Sequence, residues 1–429
     1  MTSTLSRTAD ADAAVDPGRW PDVAAVPAAR LRGTVAAALL RRIAGRVAIR
    51  VVFPGGRVIG DTGPVLVVRR PERFLARLGA HGLIGFGEAY QAGDWDTEDL
   101  VGLLTVLAAD LPTLVPPRLQ WLRRFHGARA PGVDENTRDG ARRNIERHYD
   151  LSNDLFALFL DPSMTYSAAL FETPPSGAPD AAGFDELEAA QHRKIDRLLD
   201  RTGVGPGTRL LEIGTGWGEL AIRAARRGAH VVTVTLSRQQ RALAVERAAA
   251  AGVGPRVDVR LCDYRELRGS SERFDAIVSV EMIEAIGAQL WPDYVATLDE
   301  LLAPGGRAGL QTITMAHERM LATRDTYTWI QKYVFPGGLL PSETALDEAL
   351  AGHSRLAVLD RCSFGPHYAA TLRLWRERFT SHAGRVAELG FDATFQRTWR
   401  LYLAYCEAGF ATGYLDVCQL ILGRTERTA

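Results

Sequence analysis

The sequence predicts a doubly wound α/β domain carried behind a smaller α+β domain. Three observations point there. The chain has 429 residues, too many for one ordinary domain. From Thr208 onward, short apolar runs alternate with helical patterns, the rhythm of a parallel sheet wrapped by helices. Residues 128–141 carry Pro, Gly, Asp and Asn in the manner of a linker. The expected order is a flexible tail over 1–28, an N-terminal lipid- or membrane-associated domain over 29–127, the linker 128–141, and a catalytic domain over 142–425.

In the first domain, residues 30–50 read as a helix, with Leu31, Val35, Leu39, Ile43 and Val47 recurring every fourth position. Six arginines (Arg30, Arg32, Arg41, Arg42, Arg46 and Arg50) flank that stripe and no acid interrupts it. A basic amphipathic helix suits a membrane interface; a solvated surface helix gives the same pattern. Residues 30–130 hold 15 Arg against 8 Asp plus Glu. That excess favours an anionic lipid surface by roughly 1 kcal/mol per well-placed Arg.

In the second domain, strands are expected at Arg209–Ile213, His230–Thr235, Val257–Leu261, Phe274–Val280 and Arg307–Thr314. Helices are expected at Glu219–Arg227, from Thr235 to about Ala251, and at Trp291–Leu302, the last ended by Pro304-Gly305-Gly306. Such a sheet binds ligands at the carboxyl ends of its strands.

Composition limits the function. Hydrophobic residues make up 46%, charged residues 24%, and the net charge is zero, which excludes wholesale disorder and a nucleic-acid partner. Cys262, Cys362, Cys406 and Cys418 form no CxxC pair and sit near no His at metal-ligand spacing, so no metal is expected. The first 27 residues lack the apolar core of a signal peptide. No apolar run approaches the roughly 20 residues that span a bilayer. The expected location is the cytoplasm, at the inner face of the cell membrane.

The strongest local motif is Leu211-Glu212-Ile213-Gly214-Thr215-Gly216-Trp217-Gly218, a strand entering a Gly-rich turn that opens a helix. Its third Gly falls one place early for a dinucleotide fingerprint. That spacing favours the amino-acid moiety of S-adenosylmethionine, with Glu212 placed to hold its α-ammonium. At the end of the second strand Thr235, Leu236 and Gln240 stand where an acid often binds ribose hydroxyls; Thr235 and Gln240 can hydrogen-bond a diol. After the third strand, Asp263 and Tyr264 offer a carboxylate for the adenine amino group and a ring for stacking. A dehydrogenase would need GxGxxG and the strand-end acid. A non-enzymatic lipid carrier would account for the basic first domain and would leave this constellation without use.

The segment from His148-Tyr149-Asp150-Leu151-Ser152-Asn153 to Met164-Thr165-Tyr166-Ser167 resembles the opening of the cyclopropane fatty acid synthase catalytic domain, a family that includes the mycolic acid cyclopropane synthases. The resemblance continues through the Gly-rich turn, Thr235-Leu236-Ser237, Trp329 to Gly338, and His367 to Leu372. Gly85 to Trp95 resembles the leading domain of the longer members. The resemblance implies a Rossmann-like class I S-adenosylmethionine-dependent methyltransferase domain acting on the double bond of an unsaturated fatty acyl phospholipid. It places Tyr166, Ser167, Gly214, Gly216, Thr235 and Gln240 at cofactor positions, with Thr215 and Trp217 in the same turn and Asp263 and Tyr264 on the adenine side. It also implies a bicarbonate ion as the base, held by a Cys, a Glu, a His and a Tyr. The Glu and the Tyr are kept as Glu284 and Tyr368, and Glu284 is expected to help hold the base or to act as one itself. The Cys position is Ala168, whose carbonyl could serve, and the His position is Gln311. A new carboxylate, Glu281, stands where many members have Gly, with a solvated or ion-paired acid as its alternative role.

Methyl transfer to an alkene leaves a carbocation, which aromatic faces stabilise; Tyr166, Phe171, Tyr333 and Phe335 are the candidates, with ordinary packing as the alternative for each. The run Val278 to Gly287 with Gln311 resembles actinobacterial members that make methylene- and methyl-branched acids such as 10-methylstearate. The expected product is therefore a methylene branch, reduced by a flavin- or NADPH-dependent partner; the alternative is a cyclopropane. A homo-oligomer is also an expectation.

Overall fold

Four of the expected strands form at the expected residues: Arg209–Ile213 (β5), His230–Thr235 (β6), Val257–Leu261 (β7) and Phe274–Val280 (β8). This computed structural model describes residues 14–114, 152–172 and 182–424. The linker 128–141, the motif residues His148–Leu151 and most of the Pro-rich loop after Thr173 lie outside the described residues.

The chain divides into two compact units, and the division does not follow the boundaries expected from sequence. One unit comprises Met1–Arg129 with Thr326–Val334 and Arg376–Thr412; the other comprises Ala130–Asp325, Phe335–Trp375 and Gly413–Ala429. Two late segments therefore belong to the unit expected to end at residue 127.

The first unit has a four-stranded sheet of Arg50–Val52 (β1), Val58–Ile59 (β2), Val65–Val68 (β3) and Trp95–Asp96 (β4), in the order β2-β1-β3-β4. The helix Ala393–Ala411 packs on Leu83–Gln91 and Leu100–Leu114. Its Arg397 is buried, donating to the carbonyls of Tyr90 and Trp95, which satisfies a guanidinium removed from water. Part of the expected tail is held as well: Pro21–Ala24 is helical, Val23 is fully buried, and Arg77 donates to the carbonyls of Val23 and Ala25.

The basic helix runs Arg30–Ala44, and Arg50 begins β1 instead. Its four-residue stripe splits. Val47 is buried, while Leu31, Val35 and Leu39 are 86%, 69% and 37% exposed. The inward face is Gly33, Ala36, Leu40 and Ala44. Small residues let this helix approach Pro71–His81 closely: a Cβ on Gly79 would fall 2.5 Å from the Arg32 carbonyl oxygen. Backbone proximity thus decides which face turns in, and the larger apolar side chains are left outside.

The second unit has a seven-stranded sheet completed by Leu302–Met315 (β9), Leu356–Ser363 (β10) and Leu415–Arg424 (β11). The order is β10-β11-β9-β8-β5-β6-β7, with β5 to β9 parallel and β11 antiparallel to both its neighbours. The chain starts at β5 in the middle and winds outward both ways, so the switch point lies between β5 and β8. Buried Leu211, Ile213, Ile277, Leu298 and Leu310 fill one face; Leu198, Leu210, Ala224 and Val278 fill the other.

Candidate functional site

A cleft opens at the carboxyl ends of β5, β6, β7 and β8, and all twelve residues expected to meet a cofactor line it. Gly214 and Gly216 form the turn after β5 with φ of +99° and +52°. A Cβ on Gly216 would meet nothing within 4 Å, so it would project into open space instead of the core. Thr215 is pinned from behind by the Thr233 hydroxyl at 2.7 Å, and Trp217 by Asn153 Oδ1 at 2.8 Å.

Glu212 is 4% exposed and lines the cleft, and its Oε2 is buried with no hydrogen-bond partner. Burial pushes its carboxyl up to about 8, against the weaker pull of Thr233. An orphaned carboxylate beside a glycine cradle fits the ammonium and main chain of S-adenosylmethionine. At β6, Thr235 Oγ1 donates to Gln240 Oε1 at 2.8 Å, so the pair expected to share a diol is already joined, and its amide nitrogen is the donor to offer. At β7, Asp263 is clamped by Arg265 through Nε at 2.8 Å. The Tyr264 ring packs edge-on to Tyr294, its hydroxyl buried without a partner. Asp263 and Tyr264 are thus held in place more tightly than a bare strand end suggests.

Of the aromatic residues expected to face a cation, Tyr166 lines the cleft, backed by Phe156 and Trp375. The others do not line it. Phe171 is buried against His367, whose Nδ1 accepts its N–H. Tyr333 belongs to the first unit, where its hydroxyl donates to Glu88.

Beyond β8 lie the expected acid–base residues. Glu281 lines the cleft, with φ of +48°, a left-handed conformation rare outside glycine. Its Oε1 accepts from the Ala168 N–H at 2.9 Å and from Gln311 Nε2 at 2.9 Å, and its Oε2 from the Tyr368 hydroxyl at 2.7 Å. The Ala168 contribution is thus its N–H. Its carbonyl, which was expected to serve, accepts from Gln311 instead, because an anion can be met only by donors. The three hydrogen-bond donors to Glu281 are neutral, and Lys194 acts on it through its charge. Glu284 lies deeper: its Oε1 accepts from Thr312 and from the Ile313 N–H, and its Oε2 is buried without a partner. Burial first, and the Glu281 charge second, push it up to about 8. Glu281 is also raised by burial, opposed by Lys194, Ala168, Tyr368 and Gln311. Burial thus raises both carboxyls, and the proton is held at Glu284 up to about 8.

Three contributors escaped the sequence reading. Lys194, fully buried on the helix Leu187–Arg201, lines the cleft and donates to Ser167 Oγ at 2.6 Å. Burial pulls its ammonium down to about 8 against the attraction of Glu281. Gln419 on β11 donates to Gln311 Oε1 at 3.0 Å, and Arg197 donates to Gln419 Oε1 at 2.8 Å. That relay turns the Gln311 amide nitrogen toward Glu281. One signal was visible: Lys194 and Lys332 are the only lysines among 51 Lys plus Arg.

The cleft's chemistry agrees with the comparisons. The family model for mycolic acid cyclopropane synthetase matches residues 136–420. The chain is 54% identical to tuberculostearic acid methyltransferase UfaA1 of Mycobacterium tuberculosis, over 99% of both chains. It is 33% identical to the cyclopropane-fatty-acyl-phospholipid synthase of Escherichia coli, over 88% of this chain and 93% of that one. Among solved structures, mycolic acid cyclopropane synthase CmaA1 complexed with SAH and CTAB superposes with a TM-score of 0.58 at 32% identity, covering 66% of this chain and 97% of that one. With a glycine cradle, an orphaned Glu212 and these relatives together, the chain belongs to the mycolic acid cyclopropane synthetase family and is an S-adenosylmethionine-dependent methyltransferase.

Proposed function

We propose that this methyltransferase acts on the cis double bond of an unsaturated acyl chain, oleoyl, in a membrane phospholipid, and makes a methylene branch. A separate flavin- or NADPH-dependent reductase then converts it to a 10-methyl branch. The observation that carries this reading is the mixed wall of one cleft. The cofactor cradle shares it with Val280, Met282, Ile286 and Leu290, where hydrocarbon fits and a polar acceptor would lose its hydrogen bonds. The similarity to a tuberculostearic acid methyltransferase supports the branched product, whereas the Escherichia coli relative supports a cyclopropane. The assay is purified protein, dioleoyl phospholipid vesicles and S-adenosylmethionine with a deuterated methyl. A methylene branch carries two deuteriums on an exocyclic alkene carbon, visible by NMR and cleaved by ozone. A cyclopropane as sole product overturns the branch and leaves methyl transfer standing.

The lipid is met from the membrane surface in this reading. No described helix is long and apolar enough to cross a bilayer. Exposed Leu31, Val35 and Leu39 share their helix with exposed Arg32, Arg41 and Arg42, the arrangement that lies in an anionic interface. Leu31→Asp with Val35→Asp, or Arg41, Arg42 and Arg46→Glu, should each weaken sedimentation with anionic vesicles, and salt should mimic only the arginine set. Equal binding by all variants sinks this part.

A further inference from the structure

The three donors around Glu281 describe an anion site that is already filled from within the chain. A backbone N–H (Ala168), an amide (Gln311) and a phenol (Tyr368) converge on one carboxylate, and the amide is oriented by Gln419. The backbone has been bent to put it there, since Glu281 takes a φ that costs any residue but glycine. Its N–H is held in that bend by the Gln311 carbonyl at 2.7 Å. A bicarbonate ion, implied by family resemblance, would need these same donors. It does not fit while Glu281 occupies them.

We propose that the Glu281 carboxylate is itself the base of the reaction, and that this enzyme has exchanged a diffusible bicarbonate for a side chain. The inference rests on the methyl-transfer reading above. When bound, S-adenosylmethionine supplies an electrophilic methyl on a positive sulfur. The alkene π pair forms the new C–C bond as the C–S bond breaks and leaves its electrons on sulfur, and the positive charge passes to the neighbouring lipid carbon. A hydride from the methylated carbon moves to that cation and shifts the charge to the branch point. Glu281 then takes a proton from the transferred methyl. The released C–H pair closes the exocyclic double bond, and the carboxyl carries the proton until the product leaves. Tyr368, Gln311 and the Ala168 N–H are positioning groups for that carboxylate. A base tethered by three hydrogen bonds is less free than an ion to follow the first-formed cation, which leaves time for the hydride shift.

The experiment compares wild type, Glu281→Gly and Glu281→Gln in carbonate-stripped buffer, with and without added sodium bicarbonate. Methyl transfer to dioleoyl vesicles and cofactor affinity by calorimetry are both read. Glycine accepts this φ freely and reopens the anion site, so that variant folds and keeps its cofactor affinity. Wild type should be indifferent to bicarbonate. Both variants should lose turnover by roughly 10²-fold or more, and bicarbonate should restore the Gly variant at least about tenfold while leaving the Gln variant inactive. Wild-type turnover that requires bicarbonate overturns the proposal, as does full turnover by either variant in stripped buffer. A Gly variant that binds cofactor yet is not rescued overturns the exchange of ion for side chain. A wild type with no methyl transfer under any condition is a different failure, that of the substrate reading.

Discussion

Each compact unit holds a carboxylate under a tyrosine hydroxyl, with one of the chain's two lysines acting on it, and the two arrangements are wired differently. In the first unit, fully buried Glu88 accepts from Lys332 at 2.7 Å and Tyr333 at 2.9 Å, and meets His81 at 3.1 Å. Burial pulls Lys332 down, but its hydrogen bonds to Asp22 and Glu88 outweigh that and raise it. Each charge is matched and the group is closed. In the second unit, Glu281 is held by neutral donors, and Lys194 gives its short hydrogen bond to Ser167. Burial shifts both Glu281 and Lys194 toward their neutral forms. A closed ion pair resists proton exchange; a buried carboxyl raised by its surroundings and met by neutral donors on the wall of a cleft is open to it.

Removing the charge from each acid breaks the comparison most sharply. Glu281→Gln should cost roughly 10²–10⁴-fold in turnover with little loss of stability. Glu88→Gln should leave turnover per folded molecule intact but lower unfolding free energy by about 1–3 kcal/mol, because half-buried Lys332 keeps Asp22 and loses one of its two carboxylates. Initial rates and urea unfolding measure the two. Glu284→Gln sits between them, with a turnover loss under roughly tenfold, since a glutamine resembles the protonated carboxyl already there. A collapse of turnover in Glu284→Gln with Glu281→Gln spared would reverse the assignment of base.

Gly216→Val tests the cradle as distinct from the acid. A β-branched residue at φ +52° is strained, and its side chain projects into the cleft. The expected loss of cofactor affinity is roughly 10- to 100-fold, the equivalent of the 1–3 kcal/mol typical of such strain. The strain is present in the unliganded protein too, so its thermal midpoint should fall by a few degrees, and calorimetry with differential scanning separates the two effects. Unchanged affinity in the folded variant removes the turn from the site.

What the sequence made legible was contiguous. The parallel strands are apolar runs bounded by turns; the Gly214–Gly218 motif and Glu281 directly follow one, Thr235 ends one, and Asp263 lies two residues past one. What stayed hidden depends on contacts distant in sequence. Gln419 reaches Gln311 across 108 positions, and Ala168 reaches Glu281 across 113. The assignment of residues 376–412 to the first unit follows from where Arg397 and Thr398 find partners, which no local pattern encodes. The outward turn of Leu31 and Val35 follows from Gly33, Ala36 and Gly79 allowing backbones to meet. A hydrophobic stripe was the louder signal there, and close packing of small residues prevailed.

The smallest expected effect concerns Glu212, a further carboxyl raised by burial, and it distinguishes a binding acid from the catalytic one. Without ligand its carboxyl is pushed from 4.5 up to about 8 by burial. A raised acid contributes stability that is full below its unfolded value and is lost as pH climbs through about 8, because the folded state then holds a buried charge. A cofactor ammonium placed beside Glu212 favours the ionised form, so binding should expel a proton wherever the free protein holds one. Affinity should therefore rise with pH below about 8, by up to tenfold per unit, and flatten above it. Calorimetry in buffers of different ionisation enthalpy should count close to one proton released at neutral pH. Glu212→Gln should bind more weakly and lose that release, while Glu281→Gln should keep it. Proton release unchanged in Glu212→Gln would move the ammonium contact to another group.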